Sequence, residues 1–205
     1  MTAFEFTNTW FDEKAKPIWE HLVPQLKPSK ILEIGSYEGA SACYLIETLA
    51  SSQALEMHCI DAWQGGVEHQ DIPMVEVEAR FLSNTKIATT NARHKVDLIV
   101  HKATSDIALA QLLVEGKRNY FDFIYIDGSH QAADVICDAA LAFRLLQVGG
   151  LIVFDDYLWT AEAPRDKDLL QCPKPAIDAF INLHFDKVQI LTAPLYQMYV
   201  SKTSD

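Results

Sequence analysis

Acidic residues follow several short apolar segments of this 205-residue chain. Asp127 follows FIYI, and the adjacent pair Asp155 and Asp156 follows LIVF. Carboxylates that cluster at partly buried positions repel one another, and at least one pKa rises unless a cation compensates for the charge. Mg²⁺ is a hard ion that prefers such oxygen ligands. Asp127, Asp155 and Asp156 therefore predict a site for Mg²⁺ or Mn²⁺; the alternative is that they cap helices and contact loops.

A histidine accompanies these acids. His130 lies three residues after Asp127, near the start of a predicted helix. The positive end of a helix dipole disfavours the imidazolium, so we expect a neutral His130 that can act as a base. Its position alone fits a surface histidine beside a helix cap equally well.

A glycine turn follows the first apolar segment, in the sequence EIGSYEG. Gly35 and Gly39 would let the backbone approach a ligand closely, although they could also serve the turn alone. Their spacing differs from the G-x-G-x-x-G that cradles a pyrophosphate, and Tyr37 would obstruct a dinucleotide phosphate. Asp61 follows the next apolar segment, where an acid typically binds ribose hydroxyls. A role as a loop cap is the alternative for Asp61.

The elements that must position these residues alternate along the chain. Near-continuous apolar segments predict parallel strands covered on both faces: Lys30–Gly35, Met57–Asp61, Asp97–His101, Phe121–Asp127 and Leu151–Asp155. Helices are predicted between them over Ala40–Ala50, Asp106–Glu115 and Gln131–Leu146, with Gly149 and Gly150 breaking the last before the next strand. This alternation predicts an α/β fold with a doubly wound, mostly parallel sheet, whose ligands bind at the carboxyl ends of the strands.

Further segments decorate one predicted domain over residues 1–205. They are an N-terminal helical cap (1–29, with a helix over Phe11–Leu26), an insertion (62–93, with a helix around Val75–Lys86) and a loop (157–175). Loops of this length are usually binding loops or lids, and Arg165 and Lys167 could meet an anionic substituent there. A helix over Ala176–His184 and strands over Lys187–Thr192 and Tyr196–Ser201 complete the prediction.

Composition excludes several classes of protein. The chain has 28 acidic against 17 basic residues, a formal charge of −11, which argues against nucleic acid or an anionic membrane as the main partner. No apolar run approaches the roughly 20 residues that span a bilayer, and the first residues do not resemble a signal peptide. The four cysteines form no CxxC pair, so we expect free thiols and a cytoplasmic protein.

Together these motifs resemble a known family. EIGSYEG, the acid after the second strand, IDGSH and GGLIVFDDY occur in the order found in class I S-adenosylmethionine-dependent methyltransferases, over roughly residues 30 to 200. More narrowly, they resemble the metal-dependent O-methyltransferases. DGSH followed by FDD is most similar to the branch of macrolide-sugar O-methyltransferases and cephalosporin-hydroxylase-like proteins. The resemblance implies a Rossmann-like, seven-stranded sheet with an antiparallel last strand.

The resemblance also implies roles for individual residues. It places S-adenosylmethionine against Glu33, Gly35, Ser36, Tyr37, Gly39, Ser41, Asp61, Ala62, Trp63, Ser105 and Asp127. It assigns Mg²⁺ or Mn²⁺ to Asp127, Asp155 and Asp156, with Asp127 and His130 catalytic and His130 as the general base. Catechol-type relatives have Asn and Lys where this chain has Asp156 and His130.

The expected reaction is O-methylation of a hydroxylated small molecule such as a sugar or natural product. A hydroxyl is a poor nucleophile at neutral pH, so it needs metal coordination and a base. The alternatives are a non-methylating, hydroxylase-like enzyme on the same scaffold, or a catalytically silent cofactor-binding module. Trp159 could stack on the acceptor, whose identity the sequence leaves open. The aromatic N-terminal helix could serve as a contact in a homo-oligomer.

Overall fold

The computed structural model describes residues 3–66, 69, 71–160 and 168–205. The chain forms two compact units, one ending at Lys102 and the other beginning at Ala103, and each is described by itself. The single domain over residues 1–205 stays a prediction.

The first unit contains helices α1 (Trp10–Lys14), α2 (Lys16–Leu26), α3 (Ala40–Leu49) and α4 (Met74–Asn91), with strands β1 (Lys30–Ile34), β2 (Leu55–Ile60) and β3 (Val96–His101). The second contains α5 (Ser105–Val114), β4 (Phe121–Ile126), α6 (Ala132–Leu145), β5 (Leu146–Phe154), α7 (Pro173–Leu183), β6 (Val188–Leu191) and β7 (Met198–Lys202). The order of the seven strands in the sheet is β3-β2-β1-β4-β5-β7-β6. The predicted α/β fold with a mostly parallel, seven-stranded sheet is confirmed.

Parallel pairing in the first unit aligns the residues that follow β1 and β2. Ile34 is opposite Ile60, the last residue of β2. The glycine turn after β1 and Asp61 after β2 therefore leave the sheet at the same edge. Both strands are almost entirely buried, as expected of apolar strands covered on two faces.

The second unit aligns the other predicted acids in the same way. β4 and β5 are parallel, with Ile126 opposite Phe154, so Asp127 and Asp155 begin the next segments side by side. β7 runs antiparallel to β5 and pairs Met198 with Phe154. The residues just before β7 therefore arrive at the edge where β4 and β5 end.

Two predicted boundaries are wrong, each for a local reason. The helix over Phe11–Leu26 is divided at Ala15, because Pro17 has no N–H to continue the ladder and instead lies in the first turn of α2. Gly149 and Gly150 do not separate α6 from β5; the chain passes directly from Leu145 into β5, and the glycines lie inside the strand.

The register explains why those glycines are needed. Phe121 pairs with Leu146 and Phe123 with Leu151, so β5 carries a bulge of extra residues. Gly149 has a φ of +86°, and a Cβ on Gly150 would lie 2.7 Å from the Leu146 side chain. Glycine is therefore required by the bulge and not by a helix end.

The decorating segments are partly confirmed. The insertion helix extends over Met74–Asn91, longer than predicted, and α7 begins at Pro173, inside the predicted lid loop. Arg165 and Lys167 lie outside the described residues, so the lid stays a prediction. All four cysteines are free, and Cys43, Cys59 and Cys172 are buried. In the described part of the chain, no helix has the length and apolar character needed to cross a membrane.

Candidate active site

In the first unit, Asp61 organises the glycine turn. Its Oδ2 accepts backbone N–H groups from Ser36 (3.0 Å) and Tyr37 (2.9 Å), and its Oδ1 accepts from the N–H of Trp63 (2.7 Å). A carboxylate offers roughly four lone-pair sites. Three contacts leave room for about one more donor, which suits a ribose hydroxyl. Ala62 lies between Asp61 and Trp63 and is half-buried.

Two residues bound by Asp61, one in the turn and one after β2, adopt strained backbone. Tyr37 and Trp63 both have a φ of 47°, in the left-handed region that side chains rarely occupy. Such conformations cost on the order of 1–3 kcal/mol each, so neighbouring contacts must stabilise them. The indole Nε1 of Trp63 donates to the carbonyl of Tyr37 (3.0 Å), and its ring packs on Phe81. The two strained residues thus support each other.

The second glycine of the turn is required by packing. Gly39 has a φ of +82°, and a Cβ there would lie 3.0 Å from Phe81 and 3.3 Å from Thr85, both on α4. This close approach fixes α4 against the start of α3. Gly39 therefore has a structural reason that is independent of any ligand, while Gly35, with the same φ, opens the turn.

The buried side chain of Glu33 stabilises the glycine turn through hydrogen bonds. It is fully buried, and its two oxygens accept hydrogen bonds of 2.6 Å from the hydroxyls of Ser36 and Ser41. The Cys59 thiol is a further partner, and burial raises the pKa of Glu33. These contacts tie β1, the turn and α3 together. Direct contact of Glu33 with a cofactor stays a prediction.

In the second unit, Asp155 lies at the centre of an acidic group. Its Oδ2 accepts from Gln197 Nε2 (2.9 Å) and from the hydroxyl of Tyr125, and its Oδ1 accepts from the N–H of Asp156 (2.7 Å). The Tyr125 hydroxyl also lies 2.9 Å from Asp127 Oδ2. The predicted neighbours Asp127, Asp155 and Asp156 are therefore joined in one hydrogen-bonded group.

His130 belongs to the same group. Its Nε2 lies 2.7 Å from Asp156 Oδ2, and Asp156 Oδ1 accepts from the hydroxyl of Tyr196 (2.7 Å). Trp159 stacks on the imidazole with ring centroids 4.0 Å apart. Asp156 itself has a φ of 54°, a strained conformation of the kind found at functional sites. The ring of His130 is thus held at its edge and at its face.

The charge in this group is only partly compensated. Burial and the neighbouring charge of Asp156 raise the pKa of Asp155 to about 6, which confirms the expected rise. Burial and adjacent acids also raise the pKa values of Tyr125 and Tyr196. The tyrosines and Gln197 are neutral donors, so they satisfy hydrogen bonds without removing the negative charge.

A divalent cation fits the chemistry of these side chains, since three carboxylates are joined in one group with a single imidazole among the described residues. The arrangement is not preformed, however. Within the described ranges, no three His, Cys, Asp or Glu side chains are grouped as they would be around a metal ion. Asp127, Asp155 and Asp156 would hold such an ion only after a rearrangement that brings their remaining lone pairs to one point.

Ser105 lies in the second unit, apart from the acidic group. It begins α5 in the second unit, and its hydroxyl hydrogen-bonds the buried carboxyl of Asp138 on α6. A role for Ser105 near an adenine stays a prediction. A small pocket adjoins the acidic group and is lined by Ile126, Asp127, Gly128, Ser129, His130, Val135, Phe154, Asp155, Asp156, Pro173 and Ile177.

Sequence reasoning missed three members of the acidic group. Tyr125 had a usable signal, because alternate residues of a strand face the same side and Tyr125 precedes Asp127 by two positions. Tyr196 and Gln197 had none, since they reach Asp155 and Asp156 only through the antiparallel return of β7.

The sheet order and the antiparallel last strand define an α/β protein with the fold of class I methyltransferases. A family model described as a methyltransferase domain matches residues 32–157, more than half of the chain. The chain belongs to this family.

Individual relatives of the chain have sequence identities of about 31% or less in the following comparisons. The probable caffeoyl-CoA O-methyltransferase 3 of Dictyostelium discoideum is 31% identical over 185 residues, 82% of this chain but 66% of the relative, just under two thirds of its length. An O-methyltransferase from Bacillus cereus, solved with SAH, is 22% identical with a TM-score of 0.65, covering 98% of this chain and 84% of its own. TomG from Streptomyces achromogenes, solved with SAM, is 18% identical with a TM-score of 0.62, covering 91% and 78%. These two structures show the shared fold.

Proposed function

We propose that this chain is an S-adenosylmethionine-dependent O-methyltransferase whose acceptor is a hydroxylated small molecule, such as a sugar or natural product. The observation that carries the proposal is the His130–Asp156 pair, held by Tyr196 and Trp159 inside a group of carboxylates. An oxygen acceptor needs a base to remove its proton, whereas a neutral amine acceptor depends less on such a base. The family membership supports methyl transfer as the reaction class.

The glycine turn is assigned to the cofactor. Backbone at Gly35 can approach the methionine part closely, and Asp61 has capacity for a ribose hydroxyl beside the amides that it already binds. Ser36, Tyr37, Gly39 and Ser41 shape the same turn, while Ala62 and Trp63 continue from Asp61. The bound cofactor supplies an electrophilic methyl group on a positively charged sulfur.

The acidic group is assigned to the acceptor. Asp156 accepts a hydrogen bond from Nε2 of His130, which fixes the ring and leaves the buried Nδ1 as the nitrogen that would take up the acceptor proton. In the proposed reaction the acceptor oxygen forms a bond to the methyl carbon, the carbon–sulfur bond breaks, and the acceptor proton passes to His130. Asp127, Asp155 and Asp156 would hold Mg²⁺ or Mn²⁺, which would lower the pKa of the acceptor hydroxyl.

The cofactor assignment predicts that S-adenosylhomocysteine binds the wild-type protein and that Asp61→Ala weakens this binding by at least about tenfold, since three backbone donors and one ribose contact lose their acceptor. Isothermal titration measures both affinities. Asp97→Ala is the matched control, because Asp97 is an exposed acid on the neighbouring strand β3 that pairs with the exposed Lys95. Absence of binding by the wild-type protein would refute the cofactor assignment.

The metal assignment predicts that Mn²⁺ occupies the acidic group and displaces the Tyr125 hydroxyl from Asp155. Anomalous scattering from Mn²⁺-soaked crystals locates the ion directly. Asp155→Asn should weaken Mn²⁺ binding, whereas Asp178→Asn, which alters an acid on α7 paired with Lys174, should not. An empty acidic group in crystals of a protein that methylates in the presence of a chelator would refute the metal role.

A cytoplasmic location, the lack of a nucleic-acid or membrane partner, and self-association through the N-terminal helices stay predictions.

A further inference from the structure

The segment that leads into α1, up to and including the first residue of that helix, is bound to the glycine turn. We define the N-terminal strap as residues 4–10, all in the first unit. Thr7 donates its backbone N–H to Glu38 Oε2 (2.7 Å) and its hydroxyl to Glu38 Oε1 (2.8 Å). The Thr7 side chain also hydrogen-bonds that of Tyr37. Thr7 of the strap thus contacts two adjacent residues of the turn: Tyr37, whose backbone is strained, and Glu38, whose side chain is buried.

A second attachment passes through α4. Asn84 Oδ1 accepts the N–H of Glu5 (2.9 Å), and Asn84 Nδ2 donates to the carbonyls of Glu5 (2.9 Å) and Glu38 (3.0 Å). Asn84 is fully buried. The side-chain amide of Asn84 therefore joins the strap, the turn and α4. If the strap detached, the buried Asn84 amide would lose its two hydrogen bonds to Glu5.

The strap also stabilises a buried charge. Glu38 is 1% exposed, and its third donor is Arg80 Nε (2.6 Å). If the strap detached, Glu38 would keep Arg80 but lose both bonds from Thr7 and gain water. Because a buried carboxylate is stable only when its hydrogen bonds are complete, the buried state of Glu38 and the docked strap depend on each other.

Aromatic packing gives the strap a third contact with the turn. The centroid of the Trp10 ring lies 5.3 Å from that of Tyr37, and His69 stacks on the same Tyr37 ring with centroids 5.2 Å apart. Trp10 remains 54% exposed. Tyr37 is the residue whose backbone is strained, so these contacts stabilise the turn in a conformation that it would not hold alone.

We propose that the N-terminal strap holds the glycine turn in its cofactor-binding conformation, with Thr7 and Glu38 as positioning residues. The inference rests on the proposed function, because it requires that the turn binds S-adenosylmethionine. By reciprocity, a strap that favours the binding conformation of the turn must itself be tightened when the cofactor binds. Neither Thr7 nor Glu38 touches the cofactor in this scheme; both act through Tyr37 and the turn backbone.

The test measures binding of S-adenosylhomocysteine by calorimetry and amide hydrogen exchange of the strap by mass spectrometry. Thr7→Val, which removes one hydroxyl, should weaken binding about fivefold. Glu38→Gln, which removes the charge and replaces one of the two oxygens that accept from Thr7 with a donor, should weaken it by more than about tenfold. Thr9→Val is the matched control, since the Thr9 hydroxyl bonds the exposed Glu13 and not the turn. In the wild-type protein, the ligand should slow exchange at the N–H groups of Glu5 and Thr7.

The outcomes separate the two proposals. If the wild-type protein binds the ligand, but Thr7→Val binds equally well and strap exchange is unchanged, the strap proposal is overturned and the proposed function stands. If the wild-type protein does not bind, both are overturned. The exchange measurement needs only the wild-type protein, so it decides the question even if Glu38→Gln does not fold.

Discussion

Replacing His130 with glutamine is expected to lower kcat for methyl transfer by about 10²–10⁴-fold, the usual contribution of a positioned general base. The affinity for S-adenosylhomocysteine should stay unchanged, because His130 belongs with Asp156 and Trp159 to the acidic group, which is assigned to the acceptor, whereas the glycine turn is assigned to the cofactor. Steady-state rates of S-adenosylhomocysteine release, with the best acceptor from a panel of sugars and phenols, measure the effect. The product mass distinguishes added methyl from added oxygen.

Acceptor acidity separates a base from a structural residue. A phenol that is already ionised at the assay pH has no proton to lose, so its kcat should fall far less in His130→Gln than that of an alcohol. His94→Gln is the matched control, since His94 is exposed and should leave both rates unchanged. An equal loss for ionised and un-ionised acceptors would show that His130 supports the structure and does not remove the proton.

The sheet was predictable because its strands are nearly continuous apolar segments. Each acid that ends a predicted strand does lie at a strand end, and the structure joins Asp127, Asp155 and Asp156 as expected. This success has a local cause: in a parallel sheet, residues that follow neighbouring strands meet at one edge whatever the loops do.

The partners of those acids were not predictable from local pattern. Tyr196 and Gln197 contact Asp156 and Asp155 across 40 and 42 positions of the chain, and their side-chain types suit many roles. The N-terminal strap is a similar case, since Glu5 and Asn84 are 79 positions apart. Such contacts depend on how two elements that are distant in the chain pack against each other. The apolar periodicity of a single sequence does not predict this packing.

Glu33 illustrates two roles that a motif residue can have. Its place in the motif predicts cofactor contact, and in the structure its two oxygens accept hydrogen bonds from serine hydroxyls in the turn and on α3. These bonds shape the backbone of the turn, while direct contact with the cofactor stays a prediction. Spacing alone does not distinguish the two roles.

Asp138 on α6 should make the protein less stable as pH rises. It is 1% exposed, its Oδ1 has no hydrogen-bond partner among the described residues, and burial raises its pKa to about 7 from the 3.8 of an ordinary aspartate. Between these two values the folded protein keeps a proton that the unfolded chain has released. The free energy of unfolding therefore falls by about 1.4 kcal/mol per pH unit across this window, about 4 kcal/mol in all, and the loss is complete above pH 7.

Asp138→Asn removes this dependence, because an amide cannot ionise in the site. The difference in free energy of unfolding between variant and wild type should be near zero at about pH 4 and should reach about 4 kcal/mol in favour of the variant by about pH 8. Urea denaturation followed by circular dichroism at several pH values measures it. Asp97→Asn, an exposed control, should show no such trend. A difference that stays constant over this range would mean that Asp138 is already ionised in the folded protein at low pH, with its charge stabilised by the Ser105 hydroxyl.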